Sequence, residues 1–339
     1  MKSTFYPSIV AAALSLPGAI GLASGATTGA ATPNVTAAPF DAAIVNNSLA
    51  VSPDGRIAAA SDSRISGVRI YDLEAGRLLR TLAGFVSPRN SLFTPDGNTL
   101  LVSDSTLGEV VMFETHTWHQ IGAIAIGAGA FGTAIDRPGV RLYVNNEAAN
   151  TVTVVDLSSR GTVAVLTGFA QPRQGIKLNP AGTRLYVTNF LGDKISVVEV
   201  ASLKTIAEIA GFKGVRALSL TADGTTLYVA NSAENTIAVV DLRTDQIIAS
   251  IPVGKDPYGV VLSSDESHLY SGDKLDNTLT IIDTARRTVV GKIMGFHEPR
   301  QAIVLRPDGT QAYVLNNDLS IAAVDLRTGT IVREIGSLP

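Results

Sequence analysis

Three features of the sequence predict an all-β chain folded as a single seven-bladed β-propeller with four antiparallel strands per blade. The first is a period. A Leu-Tyr-Val-x-Asn segment is best preserved as Leu142 to Asn146, Leu185 to Asn189 and Leu227 to Asn231. Weaker copies run Leu100 to Asp104, Leu269 to Asp273 and Ala312 to Asn316, and Ala58 to Asp62 is the most degraded. Their last residues fall at 62, 104, 146, 189, 231, 273 and 316, so successive copies stand 42, 42, 43, 42, 42 and 43 residues apart. A period of about 40–45 residues is that of one four-stranded blade.

The second feature is the punctuation inside each copy. In the fifth, apolar runs at Val215 to Thr221, Thr225 to Ala230, Thr236 to Val240 and Gln246 to Ile251 are separated by Ala222-Asp223-Gly224, by the polar loop Asn231 to Asn235 and by the turn Asp241 to Asp245. Short β-branched runs bounded by Asp-Gly turns read as antiparallel strands. The third feature is the ends of the array. The first copy, Asn47 to about Gly84, and the last, Arg300 to Leu338, keep the apolar pattern of the others. An open solenoid would need polar end caps there, so the copies close into a ring.

Composition agrees with many short buried strands: 45% of the 339 residues are apolar and 17% charged. Thirty acids against 27 bases leave a net charge of −3, which argues against a polyanion-binding surface spread over the molecule. The chain has no cysteine, which excludes disulfides, thiol catalysis, Cys-ligated metal and c-type haem attachment.

The chain begins Met1-Lys2, runs apolar from about Ile9 to Ala23 and then reads Ser24-Gly25-Ala26, the pattern of a cleaved secretory signal over residues 1–26. Pro17, Gly18 and Gly21 interrupt the run and leave it short of the ~20 apolar residues that span a bilayer. The expected organisation is a flexible leader over 27–44 and the propeller over 45–339. The mature protein is expected in the periplasm or medium, as a monomer with no membrane span.

Within the repeat, the first turn recurs as Pro53-Asp54-Gly55, Pro95-Asp96-Gly97, Pro180-Ala181-Gly182 and Pro307-Asp308-Gly309. Pro sets φ and Gly permits φ > 0, so this is turn chemistry and not a phosphate loop. The third strand ends in an acid each time, at Asp72, Glu114, Asp156, Glu199, Asp241, Asp283 and Asp325, which suits a side chain bonding the backbone of the following turn. Asp62, Asp104, Asn146, Asn189, Asn231, Asp273 and Asn316, at the end of the second strand, are expected to tie down their own loops.

The literal Tyr186-Val187-Thr188-Asn189, in a unit with Pro-Asp-Gly before it and a Thr-led apolar run ending in Asp after it, resembles the YVTN family of β-propellers over about residues 45 to 338. The resemblance implies the same seven-bladed fold and an exported or cell-surface protein. Similar repeats occur in propeller lactonases and in propeller domains of redox enzymes.

A second set of positions breaks the repeat. Six residues before the first-turn position stand Asn47, Arg89, Phe131, Gln174, Arg216, Tyr258 and Gln301, and in the fourth and seventh copies the preceding residues are Arg173 and Arg300. Arg89, Arg173, Arg216 and Arg300, with Phe131, Tyr258, Gln174 and Gln301, would rim one mouth of the channel. Arginine suits bidentate recognition of carboxylate or phosphate, and aromatics supply stacking faces. The alternative role for each arginine is to pair with Asp62, Asp104 or Asp273 and rivet neighbouring blades.

His116 and His119 fall in the turn after a third strand with no third ligand nearby, so no metal is expected, and no cofactor. No nucleophile elbow, P-loop or dinucleotide fingerprint occurs. The expected function is an exported, non-catalytic binding or scaffold protein that offers the arginine-lined mouth to an anionic small molecule or a protein loop, with nucleic acid not expected. The alternative is a propeller lactonase-like hydrolase using carboxylates and arginines of that face. The reading leans against an enzyme because no acid at the two sets of positions departs from the repeat.

Overall fold

The computed structural model describes residues 38–39, 41–299 and 302–336, and in them seven four-stranded antiparallel sheets follow one another along the chain. Each sheet is a blade whose strands pair in sequence order. Blade four, for example, is Pro172–Leu178, Arg184–Asn189, Lys194–Glu199 and Lys204–Ala210. The helical content among the described residues is one 3-10 turn, Ser232–Glu234. This is the predicted propeller. None of the helical segments described is long and apolar enough to cross a membrane. The expected signal, residues 1–26, and most of the expected leader lie outside the described residues, as do Arg300 and Gln301.

The blade explains the repeated motif. Successive strand residues point to opposite faces, and a blade stands between two neighbours, so both faces of its second strand are buried. Leu142 and Val144 pack toward blade two with Leu101, Val110 and Met112, while Tyr143 packs toward blade four with Ile176, Leu185 and Val187. A continuous apolar run is the result, where a one-sided sheet would alternate. Seven such clusters fill the seven junctions. Burying one large apolar side chain contributes about 1.5–3 kcal/mol, so the junctions hold the disc together.

Ring closure needs no shared sheet, because blades one and seven each draw their four strands from one stretch of chain. Instead Leu49, Tyr71 and Leu73 of blade one share a core with Tyr313, Leu315 and Ile321 of blade seven. The Tyr71 hydroxyl donates to the carbonyl of Leu319 at 2.6 Å, and Arg333 Nη1 donates to the carbonyl of Glu74 at 2.9 Å.

The repeated acids do what their spacing implies. Asp72 Oδ1 accepts from the Ala75 N–H at 2.8 Å and Asp156 Oδ1 from the Ser159 N–H at 2.9 Å. At the end of the second strand, Asp104 Oδ2 accepts from the N–H groups of Val86 and Ser87 at 2.7 and 2.9 Å, and Asn189 Oδ1 from that of Ala170 at 2.8 Å. These side chains fasten the loop that leads into the innermost strand, and so fix where that strand begins.

Candidate functional site

In blades two to six the innermost strand starts on an irregularity of register. Between the pairs Val215↔Asn231 and Leu218↔Val229 the inner strand of blade five advances three residues while its partner advances two. In blade four the pairs are Pro172↔Asn189 and Ile176↔Val187, four residues against two. A bulge of this kind re-aims side chains. The additional residue in blade four coincides with the 43-residue step from Asn146 to Asn189, and it gives that blade two polar residues at the axis, Arg173 and Gln174.

The predicted rim splits into two unlike halves. Arg89 is only 1% exposed. Its Nη2 meets Asp41 Oδ1 at 2.5 Å, its Nη1 donates to Asn46 Oδ1 at 2.9 Å and to the carbonyl of Ile44, and its Nε donates to Ser105 Oγ at 2.7 Å. Phe131, also 1% exposed, lies under the guanidinium at 4.9 Å. Arg89 is thus a rivet, and its partner is not one of the acids expected from the sequence: Asp62 is taken by Arg64 at 2.8 Å.

On the other half, Arg173 and Arg216 have no carboxylate within ion-pair distance among the described residues. Their guanidinium groups stack on Phe190, with distances of 3.8 and 4.5 Å to its ring centre, and Arg216 also lies 4.4 Å from the ring centre of Tyr258. Arg173 Nη2 donates to Gln171 Oε1 at 2.7 Å, while its Nε is buried and has no partner among the described residues. A buried donor without an acceptor is costly. Burial and the adjacent Arg216 push the Arg173 pKa below its ordinary value. The backbone is closely held: Asn145 Nδ2 donates to the Arg173 carbonyl at 2.6 Å, and a Cβ on Gly132 would stand 2.6 Å from that same oxygen.

Beside this pair lies Glu147, a carboxylate that the sequence reading did not single out. It is 6% exposed. Burial, and then the charge of Asp41, raise its pKa above the ordinary value of 4.5, against the opposing pull of Arg173, a Gln171 hydrogen bond and Arg89. Gln171, which accepts from Arg173, also acts on the Glu147 carboxyl. The signal was present in the sequence, one residue after the Asp/Asn set: the aligned residues are Ser63, Ser105, Glu147, Phe190, Ser232, Lys274 and Asn317, and Glu147 alone is acidic. The same set explains the two halves. Ser105 gives Arg89 an acceptor, whereas Phe190 offers Arg173 a ring face and no acceptor.

Between Asn46, Gln174, Arg173, Arg216 and Tyr258 the space is a cavity of about 10 Å³, close to the least that admits one water. No group of three or more His, Asp or Glu with metal-binding geometry occurs among the described residues, and His116 and His119 are exposed in their turn.

A raised carboxylate in the field of Arg173 and Arg89, with an orphaned N–H donor on Arg173, is suited to proton transfer beside a developing oxyanion. Comparison with known proteins bears on the fold and the family. The hydrazine synthase of Kuenenia stuttgartiensis has a similar fold, with a TM-score of 0.74 at 20% identity over 82% of this chain and 94% of that one. No curated protein matches the chain. The family model described as lactonase, seven-bladed β-propeller matches residues 48–295. This corrects two expectations. The likeness to the YVTN family rested on a strand that any blade buried on both faces needs, and the match is to lactonase-type propellers. The reading as a non-catalytic scaffold rested on the lack of an unrepeated acid, which overlooked Glu147, and a lactonase family match overturns it. The chain belongs to the lactonase family of seven-bladed β-propellers.

Proposed function

We propose that the protein is a hydrolase that opens lactone rings on the rim formed by Glu147, Arg173 and Arg216, and that its substrates carry a negative charge close to the ring. The observation that carries the reading is Glu147, a buried carboxylate with a raised pKa at the one acidic position of its column, set against arginines that no other carboxylate neutralises. In this scheme Glu147 takes a proton from a water that attacks the lactone carbonyl carbon. The ring C–O bond then breaks, the proton passes to the departing ring oxygen, and a hydroxy carboxylate leaves. The unpartnered Nε of Arg173 binds the carbonyl oxygen as it gains charge, and Arg216, stacked on Phe190 and Tyr258, receives the substrate anion. Donors fixed in advance at a site of developing charge are usually the largest catalytic contribution.

The test is proton release from a panel of neutral and carboxylated lactones, with and without chelator. The Glu147→Gln variant should lose about 10²–10⁴-fold in kcat/KM, the range of one general acid–base group. Activity of the parent should fall toward acid pH, with a midpoint above the ordinary carboxylate value, because the base must be ionised. No hydrolysis of any lactone, or a Glu147→Gln variant as active as the parent, would sink the reading.

We propose further that residues 1–26 are removed on export to the periplasm or medium, on the strength of the Ser24-Gly25-Ala26 site after the apolar run. Mass spectrometry of protein from its own host should find a terminus near Thr27, and an intact Met1 in the cytoplasmic fraction would refute it.

A further inference from the structure

The innermost strands enclose a second space, a channel of about 580 Å³ along the axis of the disc. Hydrogen bonds between side chains stopper it on the rim side. Asn46 Nδ2 donates to Gln174 Oε1 at 3.2 Å, Gln174 Nε2 donates to Asn90 Oδ1, and Asn90 Nδ2 donates to Thr133 Oγ1 at 2.7 Å. Residues from blades two, three and four and from the segment before blade one thus meet across the axis. At the other end the lining includes the first-turn residues Pro53, Pro95, Arg137 and Pro180, of which Arg137 is exposed, so the channel opens on the face away from Glu147.

Three residues before the first turn, the inner strands carry Ala50, Leu92, Ala134, Lys177, Ser219, Val261 and Val304. Lys177 is the sole charge in that ring. The channel lining holds two cations, Lys177 and Arg137, and no Asp or Glu. Lys177 has no hydrogen bond or ion pair among the described residues. Its side chain is exposed to the channel interior, and desolvation inside the channel pushes its pKa down. Two other polar groups of the lining lack partners: Ser91 Oγ, and both side-chain polar atoms of Asn47. Toward the mouth the wall also carries the apolar side chains Val51, Leu178 and Leu220.

We propose that this channel is a second ligand site, which takes a small organic carboxylate with an apolar body. The carboxylate lies against the Lys177 ammonium and the body runs along Val51, Leu178 and Leu220 toward the mouth at Arg137. The volume falls in the range of about 300–1,000 Å³ that encloses small-molecule ligands. An ammonium that makes no ion pair among the described residues, together with the apolar stretch Val51, Leu178 and Leu220, matches both ends of such a molecule, whereas inorganic phosphate has no apolar body and a neutral lipid no charge. The site is independent of the rim chemistry, because the Asn46–Gln174–Asn90 stopper separates the two.

Titration calorimetry on the full chain tests it, with octanoate, octanol and inorganic phosphate as probes. Octanoate should bind with one site per chain, and neither octanol nor phosphate should displace it. Lys177→Met should weaken octanoate about tenfold or more, the worth of one charge-assisted contact, and Lys177→Arg should retain it. Affinity should decline at alkaline pH as the ammonium loses its proton. Melting curves guard against misfolding: without ligand, Lys177→Met should melt no lower than the parent, since it removes an uncompensated charge. The proposal is overturned if octanoate does not bind, if phosphate or octanol binds as tightly, or if a folded Lys177→Met variant binds octanoate like the parent.

Discussion

Arg89 and Arg173 each follow a proline at the start of an innermost strand, and they end in opposite circumstances. Arg89 is closed in by Asp41, Asn46, Ile44 and Ser105, with nothing left to offer a ligand. Arg173 keeps a buried N–H with no acceptor among the described residues, stacks on Phe190 and lies in the field of Glu147. The strand sets where an arginine begins, but the residues delivered by neighbouring loops decide whether it holds the fold or stays available.

The largest effect expected from this contrast is on stability. Arg89→Met leaves Asp41 buried without its cation, and breaking one partner of a buried pair costs about 3–5 kcal/mol. Chemical denaturation should show a loss of that order, and a loss below about 1 kcal/mol would mean that Asp41 is not held as described. Arg173→Gln should do the reverse. It removes a cation that makes no ion pair among the described residues, so stability should change by about 1 kcal/mol or less. Lactone hydrolysis should fall by about 10²-fold or more, as expected for a lost oxyanion donor. Smaller still is a pH effect. The folded carboxyl of Glu147 holds its proton more tightly than the unfolded one, so its contribution is most favourable below the ordinary value of 4.5 and declines as pH rises through the folded value. Glu147→Gln should flatten that part of the stability profile, and an unchanged slope would show that the carboxyl is not buried.

The fold was legible in the sequence because its cause is periodic: a blade flanked on both sides needs an apolar second strand, and each loop needs one Asp or Asn to fasten it. Even the two-residue irregularity of blade four appears in the sequence, as a 43-residue step. The site was half legible. Arg173, Gln174, Arg216 and Tyr258 do converge with Phe131 around one small cavity. What comparison of repeats missed at Arg89 lies outside them, since Asp41 precedes the first blade by sequence and reaches the rim only through the folded path of its segment. Glu147 was missed for a different reason. Its column holds Ser63, Ser105 and Ser232 but also Phe190, Lys274 and Asn317, and in so mixed a set an acid does not stand out against a fixed background.

The most direct test of the account is one crossed measurement, kcat/KM on a carboxylated lactone together with melting temperature, for Arg89→Met and Glu147→Gln. The account predicts that Glu147→Gln keeps its melting temperature to within a few degrees and loses about 10²-fold or more in kcat/KM, while Arg89→Met melts well below the parent and, assayed below its transition, keeps most of its activity. A Glu147→Gln variant that hydrolyses the lactone at the parental rate, or an Arg89→Met variant that is stable but inactive, would contradict the division of the rim into a holding half and a reacting half.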